Sequence, residues 1–372
     1  MIRSPVRLLL WISLTLSMIA SASGGTPPAW TSLPPLPDPV GLAGMYAGVS
    51  HGALVAAGGA NFPGRPMAEG GKKAWHAGVY VLPSPDSRWK EVGRLPLASG
   101  YGMCATWRDS VVCIGGDHHG GNFSDGWILN WDGQALSIEN LPPLPVPDAY
   151  GACAVVNDTV YVLGGQDSPA ASTALARAFA LDLGAPPAER HWREIPWPSG
   201  APGRIIPVAA SHDGLLYLFS GVELRAGADK TVERVYLKDA YAYSPAKGWR
   251  RLADLPEPVA AAPSPAFASD PTHLTVLAGV NAAWGSPTGP SAAKGGFERT
   301  LFSYDIASDR WEVCHRFPAD SSLAPARVTA PLVAWNGGFA IPGGEIAPGI
   351  RTPSILFLRP SQGRGDRSKA TP

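Results

Sequence analysis

Six polar side chains recur behind short glycine-containing turns: Asn61, Asp117, Gln166, Glu223, Asn281 and Glu345 stand one or two positions beyond Gly58-Gly59, Gly115-Gly116, Gly164-Gly165, Ser220-Gly221, Ala278-Gly279 and Gly343-Gly344. A second set, Tyr46, Tyr101, Tyr150, Arg204 and Arg327, stands at the start of the apolar runs that lead into those turns. Carboxylates, amides, phenols and guanidiniums gathered in one place suit a small, polar, anionic molecule, because a guanidinium makes paired, charge-assisted hydrogen bonds to a carboxylate. The same groups also cap strand ends and hold water, so the expectation attaches to the set and to no single member.

Such sets meet only if the chain brings its repeats around a common axis. The second residues of the six turns are 57, 49, 56, 58 and 65 positions apart. A period of about 50 residues carrying turn-flanked β runs marks an all-β, six-bladed kelch-type β-propeller, one four-stranded blade per repeat. A β-sandwich has turn signals without that period. Within a repeat, Asn157-Asp158 sits between two β-rich runs as a two-residue hairpin turn, and His212-Asp213-Gly214 and Asn336-Gly337-Gly338 punctuate in the same way.

The second half of most units carries a tryptophan that opens a segment ending in Leu-Pro or a like pair of an apolar residue and proline: Trp89 to Pro96, Trp249 to Pro256, Trp311 to Pro318, and a shorter Trp192 to Pro196. Repeat two keeps only the Leu-Pro ending, over Leu136 to Pro142, and the last repeat has none. An unpartnered copy stands at Trp30 to Pro37, so the N-terminal strand is expected to close the last blade of a propeller over residues 27–360. Closure matters because each blade needs two neighbours to cover its faces. Antiparallel blades then send the segments after the glycine turns and those before the innermost strands to one face, at the mouth of the central channel.

Thirty basic and thirty acidic residues give a net charge of zero, with no basic stripe to favour nucleic acid. Arg3 and Arg7 precede an apolar stretch from Leu8 to Ile19 and the small residues Ala20-Ser21-Ala22, the pattern of an export signal over residues 1–22. The expected location is periplasmic or secreted, with no membrane span after cleavage. Residues 361–372 are polar and rich in Gly and Ser, and read as a disordered tail. Four cysteines in an exported chain permit a disulfide, and Cys104 and Cys113 flank the turn at Arg108-Asp109; Cys153 occupies the place of Cys104 in the next repeat, which equally suits a small core residue.

The segments GGANFPGRPMAEGGKKAWHAGVYVL (58–82) and GGEIAPGIRTPSILFL (343–358) resemble the kelch propellers typified by bacterial N-acetylneuraminate epimerase, the sialic acid mutarotase family. The resemblance spans residues 30–358 in rotated order, as in a cyclically permuted member, with Asn61-Phe62-Pro63 marking that subgroup. It implies mutarotation of N-acetylneuraminate or a related acidic sugar without metal or organic cofactor. Glu345 and Arg351, six apart, match the family's functional pair, and Lys73 and Arg204 fit its pattern. Asp117 stands where the family has glutamate. With the channel-mouth set, this gives Glu345 and Arg351 as the catalytic pair and Asn61, Lys73, Asp117, Arg204, Glu223 and Arg327 as sugar contacts. A non-catalytic kelch module that binds a glycan or protein is the alternative. A copper radical oxidase would need a Tyr/Tyr/His/His site, and the adjacent pair His118-His119 offers little toward it.

Overall fold

The computed structural model describes residues 29–228, 231–277, 279–281, 297–318, 321 and 326–359. The expected leader over 1–22 and tail over 361–372 lie outside the described residues.

Six four-stranded antiparallel sheets follow one another around the axis. Blade 1 is built from Tyr46–Ser50, Ala53–Ala57, Gly78–Leu82 and Lys90–Arg94. Blades 2 to 5 repeat that order over residues 103–141, 152–195, 208–252 and 267–316. Blade 6 takes Val333–Trp335, Gly338–Pro342 and Ile355–Arg359 from the C-terminal part of the chain and Ala29–Leu33 from the N-terminal part, paired from Ala29 opposite Arg359 to Leu33 opposite Ile355. The expected closure is therefore present. Short hairpins answer to the sequence punctuation: Val156 pairs with Thr159 across Asn157-Asp158, His212 with Leu215, and Trp335 with Gly338.

Alternate residues of each strand pack against the next blade, giving six apolar seams. Tyr217, Phe219, Phe302 and Tyr304 fill the seam between blades 4 and 5, and Val112, Ile114, Val162 and Phe179 that between blades 2 and 3. Each such side chain contributes about 1.5–3 kcal/mol by leaving water. The tryptophans of the repeat stitch the outer edges of these seams. The indole N–H of Trp89 donates to the carbonyl of Pro34 at 2.9 Å, Trp192 to Pro142 at 2.8 Å, Trp249 to Pro196 at 2.6 Å and Trp311 to Ala253 at 3.0 Å, each reaching the Leu-Pro segment of the preceding blade. Blade 2 has no such tryptophan, yet Leu136–Leu141 still forms its outer strand.

A closed belt of backbone hydrogen bonds rings the channel. The amides of Gly44, Tyr101, Tyr150, Ile206, Ala261 and Thr329 each donate to the carbonyl of the equivalent residue one blade before, at 2.7, 2.7, 2.8, 2.5, 2.9 and 3.0 Å. All six residues have φ between 47° and 65°. That conformation is costly for a side-chain-bearing residue, and a structure holds it where surrounding contacts over-determine it. Here each belt residue follows a bridge that pins it to a glycine turn: Ala43 with Ala60, Gly100 with Asp117, Ala149 with Gln166, Ile205 with Val222, Ala260 with Val280 and Val328 with Glu345.

Cys104 and Cys113 face each other across their hairpin, as the spacing suggested, and are free thiols. Cys104 Sγ accepts the amide of Ala47 at 3.2 Å, and Cys113 is sealed in the seam between blades 1 and 2. Burial raises the Cys104 pKa to about 11.

Candidate functional site

Above the belt lies a cavity of about 710 Å³. Its polar side carries Lys73, Tyr101, Tyr150, Gln166, Glu345 and Arg351. Glu345 and Arg351 come from a two-stranded hairpin that rises from blade 6, Glu345–Ala347 with Ile350–Arg351, in which the two residues are direct cross-strand partners. Side chains directly opposite in an antiparallel pair share a face, and Arg351 Nη1 sits 3.0 Å from Glu345 Oε2. The Glu345 carboxylate also accepts the Gly349 amide at 3.1 Å and the Thr329 hydroxyl at 3.3 Å. Arg351 Nη2 donates to the Tyr101 hydroxyl at 2.9 Å, and its guanidinium lies 4.9 Å from the centre of the Phe62 ring. Its Nε and Nη1 are buried and carry no aligned hydrogen bond, with Nη1 held beside the Glu345 carboxylate.

A second ion pair faces the first across Tyr101. Lys73 Nζ contacts Asp117 Oδ2 at 2.8 Å and stands 4.1 Å from the centre of the Tyr101 ring. Asp117 is held in turn by the Trp75 indole N–H at 2.7 Å and the Tyr150 hydroxyl at 3.1 Å. Burial pulls the Lys73 pKa below its ordinary value; Asp117 works against that and Arg351 with it. The Tyr101 and Tyr150 phenols are pushed upward, chiefly by burial, so both remain hydrogen-bond donors at neutral pH. One cavity thus holds a carboxylate able to accept a proton, an ammonium able to donate one, and a guanidinium beside them.

The remaining expectations divide by position. Asp117, Gln166 and Glu345 directly follow the second glycine and stand on the bridges that feed the belt. Asn61, Glu223 and Asn281 come one residue later, and successive residues of an extended chain point to opposite faces. Their side chains are spent elsewhere: Asn61 on Asp38, the Gly41 carbonyl and His76, Glu223 on Arg225, and Asn281 on Glu298. Asn61 and Glu223 are not among the cavity's lining residues. Arg204 and Arg327 also fall outside that lining, contrary to expectation. They stand two residues before the belt, a position buried in all six blades, as Leu42, Ser99, Asp148, Arg204, Val259 and Arg327. Arg204 makes a two-pronged pair with Asp239 at 2.7 Å on each side, and Arg327 donates to the Gly343 carbonyl at 3.0 Å and to the Ser354 hydroxyl at 2.6 Å. Burial lowers the Arg327 pKa to about 10, leaving it charged at neutral pH. Tyr46, two residues after the belt, is core, with its hydroxyl on the Gly115 carbonyl at 2.6 Å.

Sequence reasoning left out Phe62, Thr329 and the apolar far wall of the cavity, where Ile206, Leu224 and Val280 stand. Aligning the six repeats at the bridge and the belt, instead of collecting polar residues near the glycines, would have found Thr329, Ile206 and Val280. His118 and His119 lie outside the lining and pack beside Phe123 and Trp75.

Residues 17–138 match the family model described as N-acetylneuraminate epimerase, and residues 149–196 match the Kelch motif. The N-acetylneuraminate epimerase of Haemophilus influenzae (strain 86-028NP) is 38% identical over 125 residues, 30% of this chain and 33% of that protein. That of Yersinia pestis (strain Pestoides F) is 39% identical over 109 residues, 27% of each chain. That of Pasteurella multocida (strain Pm70) is 34% identical over 128 residues, 30% of this chain and 34% of that protein. The chain thus matches about a third of the length of these curated relatives. The segment matched by the family model holds Lys73, Tyr101 and Asp117, while Glu345 and Arg351 lie beyond it. The chain is a six-bladed kelch propeller whose N-terminal third is similar to N-acetylneuraminate epimerases.

Proposed function

We propose that the protein is an exported sugar mutarotase that interconverts the anomers of N-acetylneuraminate or a closely related acidic sugar, and that it is a cyclically permuted relative of the epimerases it resembles. The supporting observation is the meeting of the Glu345–Arg351 pair with Lys73 inside one cavity. Glu345 takes the proton of the anomeric hydroxyl as the bond between the anomeric carbon and the ring oxygen breaks. The ring oxygen takes a proton from the Lys73 ammonium, and the product is the open-chain keto form. Rotation about the adjoining carbon–carbon bond presents the other face of the carbonyl. Closure then reverses both proton transfers, returning a proton to the new anomeric hydroxyl from Glu345 and one from the ring-closing hydroxyl to Lys73. Arg351 supplies the positive charge that attracts the sugar carboxylate, and Tyr101 fixes Arg351. The lowered pKa of Lys73 favours its role, because a general acid works best when its pKa lies nearer the working pH.

The test releases the α anomer of N-acetylneuraminate with a sialidase and follows the anomer ratio by proton NMR with and without the protein. Acceleration is expected, and Glu345→Gln is expected to reduce it by about 10²–10⁴-fold. No acceleration by the parent protein removes the proposed substrate. Undiminished acceleration in the variant removes Glu345 from the reaction. Binding of the sugar without anomer exchange would make the propeller a binding module.

A further inference from the structure

The six equivalent positions around the cavity are chemically lopsided. On the bridge residues, blades 2, 3 and 6 carry Asp117, Gln166 and Glu345, whereas blades 4 and 5 carry Val222 and Val280. On the belt, blades 2, 3 and 6 carry Tyr101, Tyr150 and Thr329, and blades 4 and 5 carry Ile206 and Ala261. A hairpin from blade 4, Val222–Ala226 with Val232–Tyr236, raises this wall with Leu224, Val232 and Tyr236, and with Arg234 on the same strand. Leu224 and Tyr236 belong to a distinct apolar cluster at the loop face, with Ile206, Val280, Phe297 and Val328, while Val232 is exposed.

An acidic sugar presents polar groups around its whole rim, whereas the described residues on this side of the cavity are mainly apolar, with Arg234 and the Tyr236 hydroxyl as the polar groups among them. Leaving polar groups unpaired against an apolar wall costs free energy, whereas an apolar substituent laid there gains it. Taking the mutarotase reading as given, the anomeric centre belongs over Glu345, Arg351 and Lys73. The apolar group must then sit elsewhere on the sugar, since the anomeric oxygen has to be a free hydroxyl for the ring to open. The geometry points to a substrate that carries an acyl chain longer than acetyl, on nitrogen or on a hydroxyl remote from the anomeric carbon, with that chain against Ile206, Leu224 and Val280.

The experiment measures the affinity and anomer exchange of N-acetyl-, N-propanoyl-, N-butanoyl- and N-hexanoylneuraminate by calorimetry and proton NMR. Each added methylene should tighten binding about three- to fourfold. Leu224→Ser should flatten that chain-length slope, and Val280→Thr, which keeps the side-chain shape, should flatten it in part and covers the case in which the serine variant does not fold. A flat slope with exchange of the N-acetyl compound overturns the acyl-chain inference and leaves the mutarotase reading standing. A rising slope without exchange of any compound supports the apolar subsite and overturns the mutarotase reading. A rising slope that neither variant alters places the chain elsewhere and overturns the assignment to this wall.

Discussion

Arg204 separates a structural guanidinium from a binding one, and its replacement by methionine makes the difference measurable. The side chain is 0% exposed. Its Nη1 donates to Asp239 at 2.7 Å and to the Ser220 carbonyl at 3.0 Å, and its Nη2 to Asp239 at 2.7 Å and to the Pro202 carbonyl at 3.3 Å. Removing it strands the Asp239 carboxylate, left with the Tyr241 hydroxyl at 3.0 Å as its side-chain partner. Breaking one side of a buried pair costs about 3–5 kcal/mol, because the remaining charge stays desolvated. At roughly 2 °C per kcal/mol for a chain of this size, Arg204→Met should lower the melting temperature by about 6–10 °C. Arg204→Met combined with Asp239→Asn should recover a good part of that loss, since no bare charge is left behind. The assay is thermal and urea unfolding of the two single variants and the double, with anomer exchange per folded molecule measured in parallel. A melting temperature within about 2 °C of the parent, together with lost sugar binding, would refute the structural assignment and return Arg204 to the site.

Two further outcomes follow from buried titratable groups. Asp148 is fully buried and neither of its oxygens has an aligned hydrogen bond among the described residues; the nearby Gln166 amide, which eases its charge, points to the Ala149 carbonyl at 2.9 Å. Burial raises its pKa, and Asp167 adds to the rise. The folded state therefore binds a proton that the unfolded state releases above about pH 4, so stability falls as pH rises through that window. Asp148→Asn should match the parent below pH 4 and gain on it toward pH 8, by about 1–3 kcal/mol, and thermal unfolding across that range in which the parent gained instead would contradict this. The exchange rate should decline on the alkaline side at a pH below the ordinary lysine value of 10.5, because Lys73 loses its proton early. Lys73→Arg should remove that decline, and Asp117→Asn, by deleting the charge that holds the proton on, should move it to lower pH. A pH–rate profile indifferent to both variants would exclude Lys73 as the proton donor.

Position along the chain and position around the cavity carry different information. The glycine turns, the two-residue hairpins and the stray Trp30 to Pro37 copy determine the blade count and the closure, because these are local signals repeated at a fixed interval and a ring is the only arrangement that covers every blade on both faces. Glu345 was legible as a member of the glycine-turn set and Arg351 through the family resemblance, and the hairpin that sets them opposite one another belongs to the structure. Which polar groups face the cavity was decided by parity together with the break in alternation at each left-handed belt residue. Tyr101 stands on the belt, Tyr46 two residues after it and Arg204 two before it, and these places point respectively into the cavity, into a seam between blades and toward a buried acid. A pattern of polar residues near a turn cannot fix that parity, because a shift of one residue along an extended chain exchanges the two faces and a left-handed belt residue resets the alternation. The division of the cavity into a polar and an apolar half likewise exists only once residues hundreds of positions apart are brought around one axis.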